Sequence, residues 1–254
     1  MMNKQWYFEY TIHKNRPGLL GDIASLMGML NINILTINGV DDSTRGMLIQ
    51  SNDDEKIEVM GAMLRKIENI TVNALRTPNL VDILAVRHGR FIERDFADRS
   101  TFRFTRDELG LLVDFLGEIF KAEGNQVIGI RGMPRVGKTE SIIAGSVSAN
   151  KRWTFLSSTM LRQTVRSQLS DEELNANNVF IIDGIVSTIR SNEKHYSLLQ
   201  EIMDLPSTKV IEHPDMFVRE SEYDYSIFDY IIELRTTPEE EITLDSIVTP
   251  YNEL

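Results

Sequence analysis

The first 77 residues alternate between the apolar patterns of strands and of helices. Apolar side chains recur at every second position over residues 6–12, which predicts a half-buried strand. Over residues 19–30, and again over residues 57–67, they recur on one face of a helix. Short strands are predicted in "INILTING" and "GMLIQS", and "TVNAL" closes the series. The predicted order is therefore βαββαβ, a ferredoxin-like arrangement.

The predicted turn before the first helix is Asn15-Arg16-Pro17-Gly18. The run that starts there, "NRPGLLGDIASLMGMLNINILTINGV", resembles the ACT domain family. This resemblance implies a regulatory module that pairs through its sheet and binds an amino acid at the turn. A glycine permits close backbone approach, and the free amides of a helix start attract an anion. The predicted ligand-binding residues are Arg16, Gly18, Leu19 and Leu20, and a purely structural turn is the alternative.

Residues 78–123 are predicted to connect two domains, residues 1–77 and residues 124–254. "LVDILAV" predicts one more strand. Six arginines alternate with acidic residues over residues 87–106, a mixture typical of a solvated connector rather than of a phosphate-binding patch. Thr105 and Glu108 have the spacing of a capping box, which predicts an amphipathic helix that packs on the second domain.

Residues 129–141, "GIRGMPRVGKTES", match the glycine-rich pattern of a phosphate-binding P-loop. The apolar run "VIGI" before the pattern predicts a strand, and "TESIIAGSV" after it predicts a helix. Backbone amides of such a loop surround the phosphates, the lysine neutralises them, and the threonine offers a hydroxyl to Mg²⁺. We therefore expect a P-loop α/β domain with a mainly parallel sheet that binds ATP or GTP with Mg²⁺. The predicted nucleotide-binding residues are Gly132, Met133, Pro134, Arg135, Val136, Gly137, Lys138, Thr139 and Glu140.

A second Mg²⁺-binding group is predicted in "VFIIDG", where Asp183 ends an apolar strand that we expect beside the strand of the loop. Thr139 and Asp183 are then the metal ligands, and Lys138 and Asp183 the catalytic residues. An aspartate that merely begins a turn is the alternative. Gly184 follows instead of glutamate, and the chain has no Asn-Lys-x-Asp pattern, which together argue against a motor-type ATPase and a GTPase.

Three segments resemble adenylate-kinase-like proteins: "FIIDG", "LSSTMLRQTVR" and "FDYIIELRTTPEEE". The resemblance implies an acceptor site in which Arg162 holds phosphate, together with Arg166 and Arg190. The sequence departs from those kinases at Ile185, where they have an arginine, and it ends where their lid would begin. Efficient phosphoryl transfer is therefore not expected. His213 follows "KVIE", and we expect it to have a structural role.

Composition and charge exclude several other classes of protein. The chain has no cysteine, no apolar run long enough to span a membrane and no signal-peptide pattern, so we expect a cytoplasmic protein. Its formal net charge is −11, and the excess lies in residues 201–254, with 14 acidic and 3 basic side chains. An acidic surface repels phosphate backbones, so neither nucleic acid nor membrane is an expected partner.

The order of the two domains resembles that of the uncharacterised YmfK-like family of Gram-positive bacteria, a resemblance that implies no activity. The sequence predicts a nucleotide-binding regulatory protein, a slow NTPase controlled by an amino acid or related metabolite at the ACT domain. A homodimer through the ACT domains is expected, because pairing would cover an open edge or face of the small sheet. Two alternatives remain: a small-molecule or nucleotide kinase with a reduced lid, and a scaffold that binds ATP without hydrolysing it.

Overall fold

The computed structural model describes residues 4–95, 101–156, 175, 177–184 and 193–242. The chain divides into two compact units, Met1–Ile92 and Glu93–Leu254. The segment that the sequence suggested as a connector, residues 78–123, is divided between these units. In the part of the chain described, no helix is long and apolar enough to cross a membrane.

The first unit begins with the βαββαβ order that the sequence predicts. Its four strands form an antiparallel sheet in the order β2-β3-β1-β4, and α1 and α2 bury their apolar faces with side chains such as Phe8, Met27 and Ile49. The elements are β1 (Gln5–Ile12), α1 (Leu19–Met29), β2 (Asn33–Gly39), β3 (Thr44–Gln50), α2 (Asp54–Leu64) and β4 (Ile70–Arg76).

The strand predicted in "LVDILAV" is wrong, because these residues form a helix, α3 (Leu80–His88). Asn79 and Asp82 make a reciprocal capping box at its start, and Gly89 ends it in the left-handed conformation at φ 66°. Helix α3 packs on β2 and β3, where Val86 is buried with Tyr7 and Leu48. It therefore covers part of the sheet face opposite to α1 and α2.

The second unit has a seven-stranded sheet in the order β5-β6-β11-β7-β10-β9-β8. Every adjacent pair is parallel except β5 and β6, so the predicted mainly parallel sheet is confirmed. Its strands are β5 (Glu93–Arg94), β6 (Thr101–Thr105), β7 (Gln126–Arg131), β8 (Arg152–Leu156), β9 (Asn178–Asp183), β10 (Thr208–Glu212) and β11 (Tyr230–Arg235). Its described α-helices are α4 (Leu109–Phe120), α5 (Lys138–Ser148), α6 (Glu193–Asp204) and α7 (Pro214–Glu220).

Helix α4 follows the predicted capping box and packs closely along α5. The Glu108 side chain accepts from the Thr105 amide at 2.8 Å and from the Thr105 hydroxyl at 3.0 Å. A Cβ built on Gly145 of α5 would lie 2.7 Å from the Leu116 Cβ, and one on Gly117 would lie 2.8 Å from the Ser148 Oγ. The two glycines thus let the helices approach more closely than larger residues would allow.

Candidate functional site

The segment from Gly132 to Thr139 joins the end of β7 to the start of α5, as the sequence pattern predicts. Gly132 and Gly137 have φ of 157° and 115°, a region that side-chain-bearing residues rarely adopt. A Cβ at Gly132 would also overlap the Leu234 carbonyl oxygen of β11. Gly137 is the N-cap of α5 and makes no side-chain cap, so the first amides of that helix are left to other partners.

Lys138 folds back over this loop. Its Nζ donates hydrogen bonds to the carbonyl oxygens of Gly132 at 2.8 Å and Met133 at 3.0 Å, and only 6% of the residue is exposed. Burial lowers the pKa of the ammonium below its ordinary value, while nearby carboxylates oppose this shift, with Glu212 first among them. The lysine is therefore a buried cation held by loop carbonyls beside acidic groups.

The expectation that the strand of Asp183 lies next to the loop's strand is wrong. Strand β10 lies between β7 and β9, and Glu212, its last residue, is in register with Ile130 on one side and Asp183 on the other. Parallel strands bring their carboxyl ends to the same edge of a sheet, so the carboxylates of Glu212 and Asp183 both lie at the edge where the loop begins. Glu212 is on the nearer strand.

Glu212 contacts the residue that the sequence suggests as a metal ligand. Its carboxylate accepts a hydrogen bond from the Thr139 hydroxyl, and 7% of the residue is exposed. Burial raises the pKa of the Glu212 carboxyl, and the Thr139 hydrogen bond and the Lys138 charge oppose this shift. Glu212 is not among the residues predicted from the sequence, although "KVIE" has the same pattern of an apolar strand ended by an acid as "VFIID".

The residues that directly follow the two carboxylates, His213 and Gly184, are closely surrounded. His213 is 2% exposed, and burial together with the nearby Lys138 charge lowers its pKa to about 4. It is therefore neutral at physiological pH. A Cβ at Gly184 would lie 2.5 Å from the Glu212 carbonyl oxygen and 2.8 Å from the His213 carbonyl oxygen. Any side chain at position 184, glutamate included, requires the backbone to move.

The other side of the β7 end is bordered by an ion-pair network centred on Glu233 of β11. Arg131 contacts it at 3.2 Å, and Arg103 and Arg235 each contact it at 2.8 Å. Arg131 also pairs with Asp215 at 3.1 Å. Because a buried carboxylate is costly unless it is paired, these arginines compensate Glu233 and hold the backbone that leads into Gly132.

No group of three or more histidines, aspartates or glutamates suited to a metal ion occurs among the residues described. The groups at this edge that could hold Mg²⁺ are the Thr139 hydroxyl and the carboxylates of Glu212 and Asp183, and metal binding there stays a prediction. This small set suits Mg²⁺, which usually keeps several waters and takes one or two carboxylates plus substrate phosphates.

The predicted acceptor residues Arg162, Arg166 and Arg190 lie outside the described residues, and their role stays a prediction. The predicted effector turn is described. Gly18 adopts φ 83°, and Arg16 pairs with Asp22 at the surface. Leu19 and Leu20 line a cavity of about 300 Å³. The turn thus brings two of its four predicted residues to a cavity, with Arg16 and Gly18 outside the lining.

Comparisons with known proteins place the chain in a family. A family model described as "Protein of unknown function (DUF3388)" matches residues 72–252. "Uncharacterized protein YmfK" of Bacillus subtilis (strain 168) is 61% identical over 246 residues, which cover 97% of this chain and 91% of that protein.

Two solved structures show weaker similarity. The ACT domain from GTP pyrophosphokinase of Chlorobium tepidum is 20% identical and matches 28% of this chain and 94% of its own, with a TM-score of 0.23. Phospho-2-dehydro-3-deoxyheptonate aldolase from Thermotoga maritima is 12% identical and matches 100% of this chain and 95% of its own, also with a TM-score of 0.23. These scores are too low to support an argument, whereas the family model and the Bacillus relative show that the chain belongs to the DUF3388 family and is YmfK-like.

Proposed function

We propose that the protein is a cytoplasmic nucleotide-binding regulator that holds ATP or GTP with Mg²⁺ at the Gly132–Thr139 loop and hydrolyses it slowly. The observation that carries the proposal is the arrangement at the end of β7. A glycine loop leads into an uncapped helix, Lys138 lies over the loop, and Thr139 bonds to Glu212.

Phosphate binding would replace contacts that the loop now makes with itself. Among the described residues, the hydrogen-bond acceptors of the Lys138 ammonium are the carbonyl oxygens of Gly132 and Met133 alone. Phosphate oxygens are stronger, charge-assisted acceptors, and the amides at the start of α5 favour an anion as well. Binding a triphosphate therefore gives the buried cation a better partner without a large rearrangement of the loop.

The metal would be held by Thr139 and the two carboxylates at the strand ends. With its proton donated to Glu212, the Thr139 hydroxyl keeps a lone pair directed away from that bond and available to Mg²⁺. Glu212 then orients Thr139, and Asp183 on the next strand contributes negative charge to the metal and its waters. Bound Mg²⁺ supplies charge neutralisation at the phosphates.

Slow hydrolysis follows from the residues around the carboxylates. Gly184 leaves no room for a second carboxylate directly after Asp183, and Glu212 is engaged with Thr139. We therefore expect turnover below the range of about 1–100 per second that is typical of kinases.

The first unit would supply the regulation. Its βαββαβ order and the ACT-like turn at Gly18 support a sensor for an amino acid or a related metabolite. Helix α3 covers part of one sheet face, which leaves the outer edges of β2 and β4 as the places for pairing with a second copy. The effector and the nucleotide would then influence each other's affinity reciprocally.

Nucleotide binding is tested by calorimetric titration of the wild-type protein with Mg-ATP and Mg-GTP, alongside two lysine variants. Lys138→Ala removes the buried cation, whereas Lys121→Ala removes an exposed lysine paired with Glu118 and serves as the control. We expect binding to wild type and Lys121→Ala, and at least about tenfold weaker binding to Lys138→Ala, because one charge-assisted contact is worth about 1.5–3 kcal/mol. Equal affinities for the three proteins would refute the assignment.

A further inference from the structure

The cavity in the first unit lies between the sheet and the start of α1. It is lined by Tyr10, Ile12, Asn15, Leu19, Leu20, Ile37, Asn38, Gly39 and Arg45. Its volume of about 300 Å³ is at the lower end of the range for small-molecule sites. The cavity therefore suits a small metabolite rather than a nucleotide.

The lining has an apolar wall and one cationic group. Five of its residues are apolar or aromatic and come from β1, α1 and β2: Tyr10, Ile12, Leu19, Leu20 and Ile37. The remaining side chains are two amides, Asn15 and Asn38, and the guanidinium of Arg45. No aspartate or glutamate is among the lining residues. The cavity thus combines one positive charge with an apolar surface, and the charge has no counterion in the lining.

Arg45 extends from β3 and is held in position by the backbone. Its Nη1 donates to the carbonyl oxygens of Thr44 at 3.0 Å, Asp41 at 3.1 Å and Asp42 at 3.5 Å. The Asp41 carboxylate is engaged elsewhere, by the amides of Ser43 and Thr44 at 2.8 and 2.6 Å. Within the ranges that the structure describes, Arg45 forms no salt bridge and its Nε and Nη2 form no hydrogen bond. Two donor groups therefore remain for a ligand.

We propose that this cavity binds a small carboxylic acid with an apolar tail, and that Arg45 binds its carboxylate. The planar guanidinium matches the geometry of a carboxylate and can donate two parallel hydrogen bonds to it. The tail then lies against Tyr10, Leu19 and Ile37. This assignment refines the effector of the proposed regulatory function, on which its biological meaning rests.

The same lining selects against a zwitterionic amino acid. An α-ammonium group placed beside the carboxylate would enter a cavity that already contains the Arg45 cation and whose lining offers only the neutral amides of Asn15 and Asn38 and no carboxylate. Desolvation of a charge without a counterion is costly, and the two cations would repel each other. A monoanion such as a fatty or 2-oxo acid is therefore favoured over the corresponding amino acid.

Three probes of one shape separate these possibilities on the full-length protein. The probes are 4-methylpentanoate, its neutral amide 4-methylpentanamide, and leucine, each titrated by calorimetry. We expect the acid to bind at least about tenfold more tightly than either of the others, since a charge-assisted hydrogen bond is worth at least about 1.4 kcal/mol more than none. Equal binding of acid and amide, tighter binding of leucine, or no binding of any probe would overturn the proposal.

Variants locate the binding site. Arg45→Gln should reduce the affinity for the acid to that for the amide, whereas Arg65→Gln, at an exposed position after α2 and outside the cavity lining, should leave it unchanged. Leu20 is 50% exposed, so Leu20→Trp tests the site without altering Arg45 and should reduce binding by filling the cavity. Unchanged acid affinity in both Arg45→Gln and Leu20→Trp would refute the site.

A fourth variant distinguishes this proposal from the nucleotide proposal. Lys138→Ala should bind 4-methylpentanoate as wild type does, because Lys138 lies in the other unit. Acid binding without nucleotide binding in the wild type would refute the proposed function of the loop and leave the cavity assignment standing. Nucleotide binding without acid binding would refute the cavity assignment and leave the proposed function of the loop standing.

Discussion

The crowding at Gly184 predicts a large cost for even one added methyl group. In Gly184→Ala the new Cβ would lie 2.5 and 2.8 Å from two backbone carbonyl oxygens, those of Glu212 and His213, and 3.2 Å from the Phe217 Cβ. Carbon–oxygen contacts in folded proteins are about 3.3–3.6 Å, so the end of β9 and the end of β10 must separate by about 1 Å. Neither oxygen belongs to a side chain that can rotate away.

The expected loss of stability is at the upper end of the about 1–3 kcal/mol that an extra methylene costs in a packed core. With a urea m-value of about 1–3 kcal/mol/M, this loss lowers the midpoint of unfolding by about 1 M or more. Gly110→Ala is the matched control, because a Cβ at Gly110 in α4 would meet nothing within 4 Å. That substitution should leave the stability unchanged or raise it by up to about 1 kcal/mol.

The two units can be followed separately, because the chain has two tryptophans, Trp6 in the first unit and Trp153 in the second. In a Trp6→Phe background, the fluorescence of Trp153 reports urea unfolding of the second unit. If Gly184→Ala and Gly110→Ala have the same midpoint, the close approach between Gly184 and the end of β10 is wrong. A side chain, glutamate included, could then follow Asp183 without a shift of the backbone.

Three further predictions concern pH, turnover and assembly. Because the folded pKa of His213 is about 4, below the ordinary 6.5, the unfolded chain takes up a proton first as pH falls. Stability should therefore drop by about 2 kcal/mol between about pH 7 and pH 5, and His213→Asn should lose this part of the pH dependence in urea unfolding. ADP release from Mg-ATP should stay below about 1 per second, whereas fast release that requires an added acceptor would indicate a kinase instead. Light scattering at micromolar concentration should show a dimer. Leu35→Lys, on the exposed edge strand β2, should weaken this dimer, and a monomeric wild type would contradict the expected pairing.

Helix α3 shows why a short apolar run does not determine its own secondary structure. "LVDILAV" is compatible with a buried strand and with a helix, since seven residues give too few periods to separate them. The distinguishing residues flank the run. Asn79 and Asp82 form the capping box, and Gly89 ends the helix in the left-handed conformation. These signals were present in the sequence and should outweigh apolar content for runs of this length.

The order of strands could not be predicted from the spacing of motifs. The pattern at Gly132–Thr139 predicted a strand, a loop and a helix, and "VFIIDG" predicted a strand that ends in Asp183, all of which the structure contains. Which strands become neighbours depends on pairing between distant segments. The insertion of β10 between β7 and β9 is such a tertiary result, and it placed Glu212, rather than Asp183, against Thr139.

The position of β6 and α4 decides where the second unit can be separated from the first. A fragment that begins at residue 124 would lack both elements, leaving β11 with an unpaired edge where β6 now lies beside it. It would also uncover the α5 surface around Gly145, against which Leu116 packs. Such a fragment exposes a hydrophobic strand edge and an apolar helix face together, a combination that promotes aggregation. A cut before Glu93 keeps both partners, so domain dissection, fusion to a reporter or crystallisation of this unit should begin there.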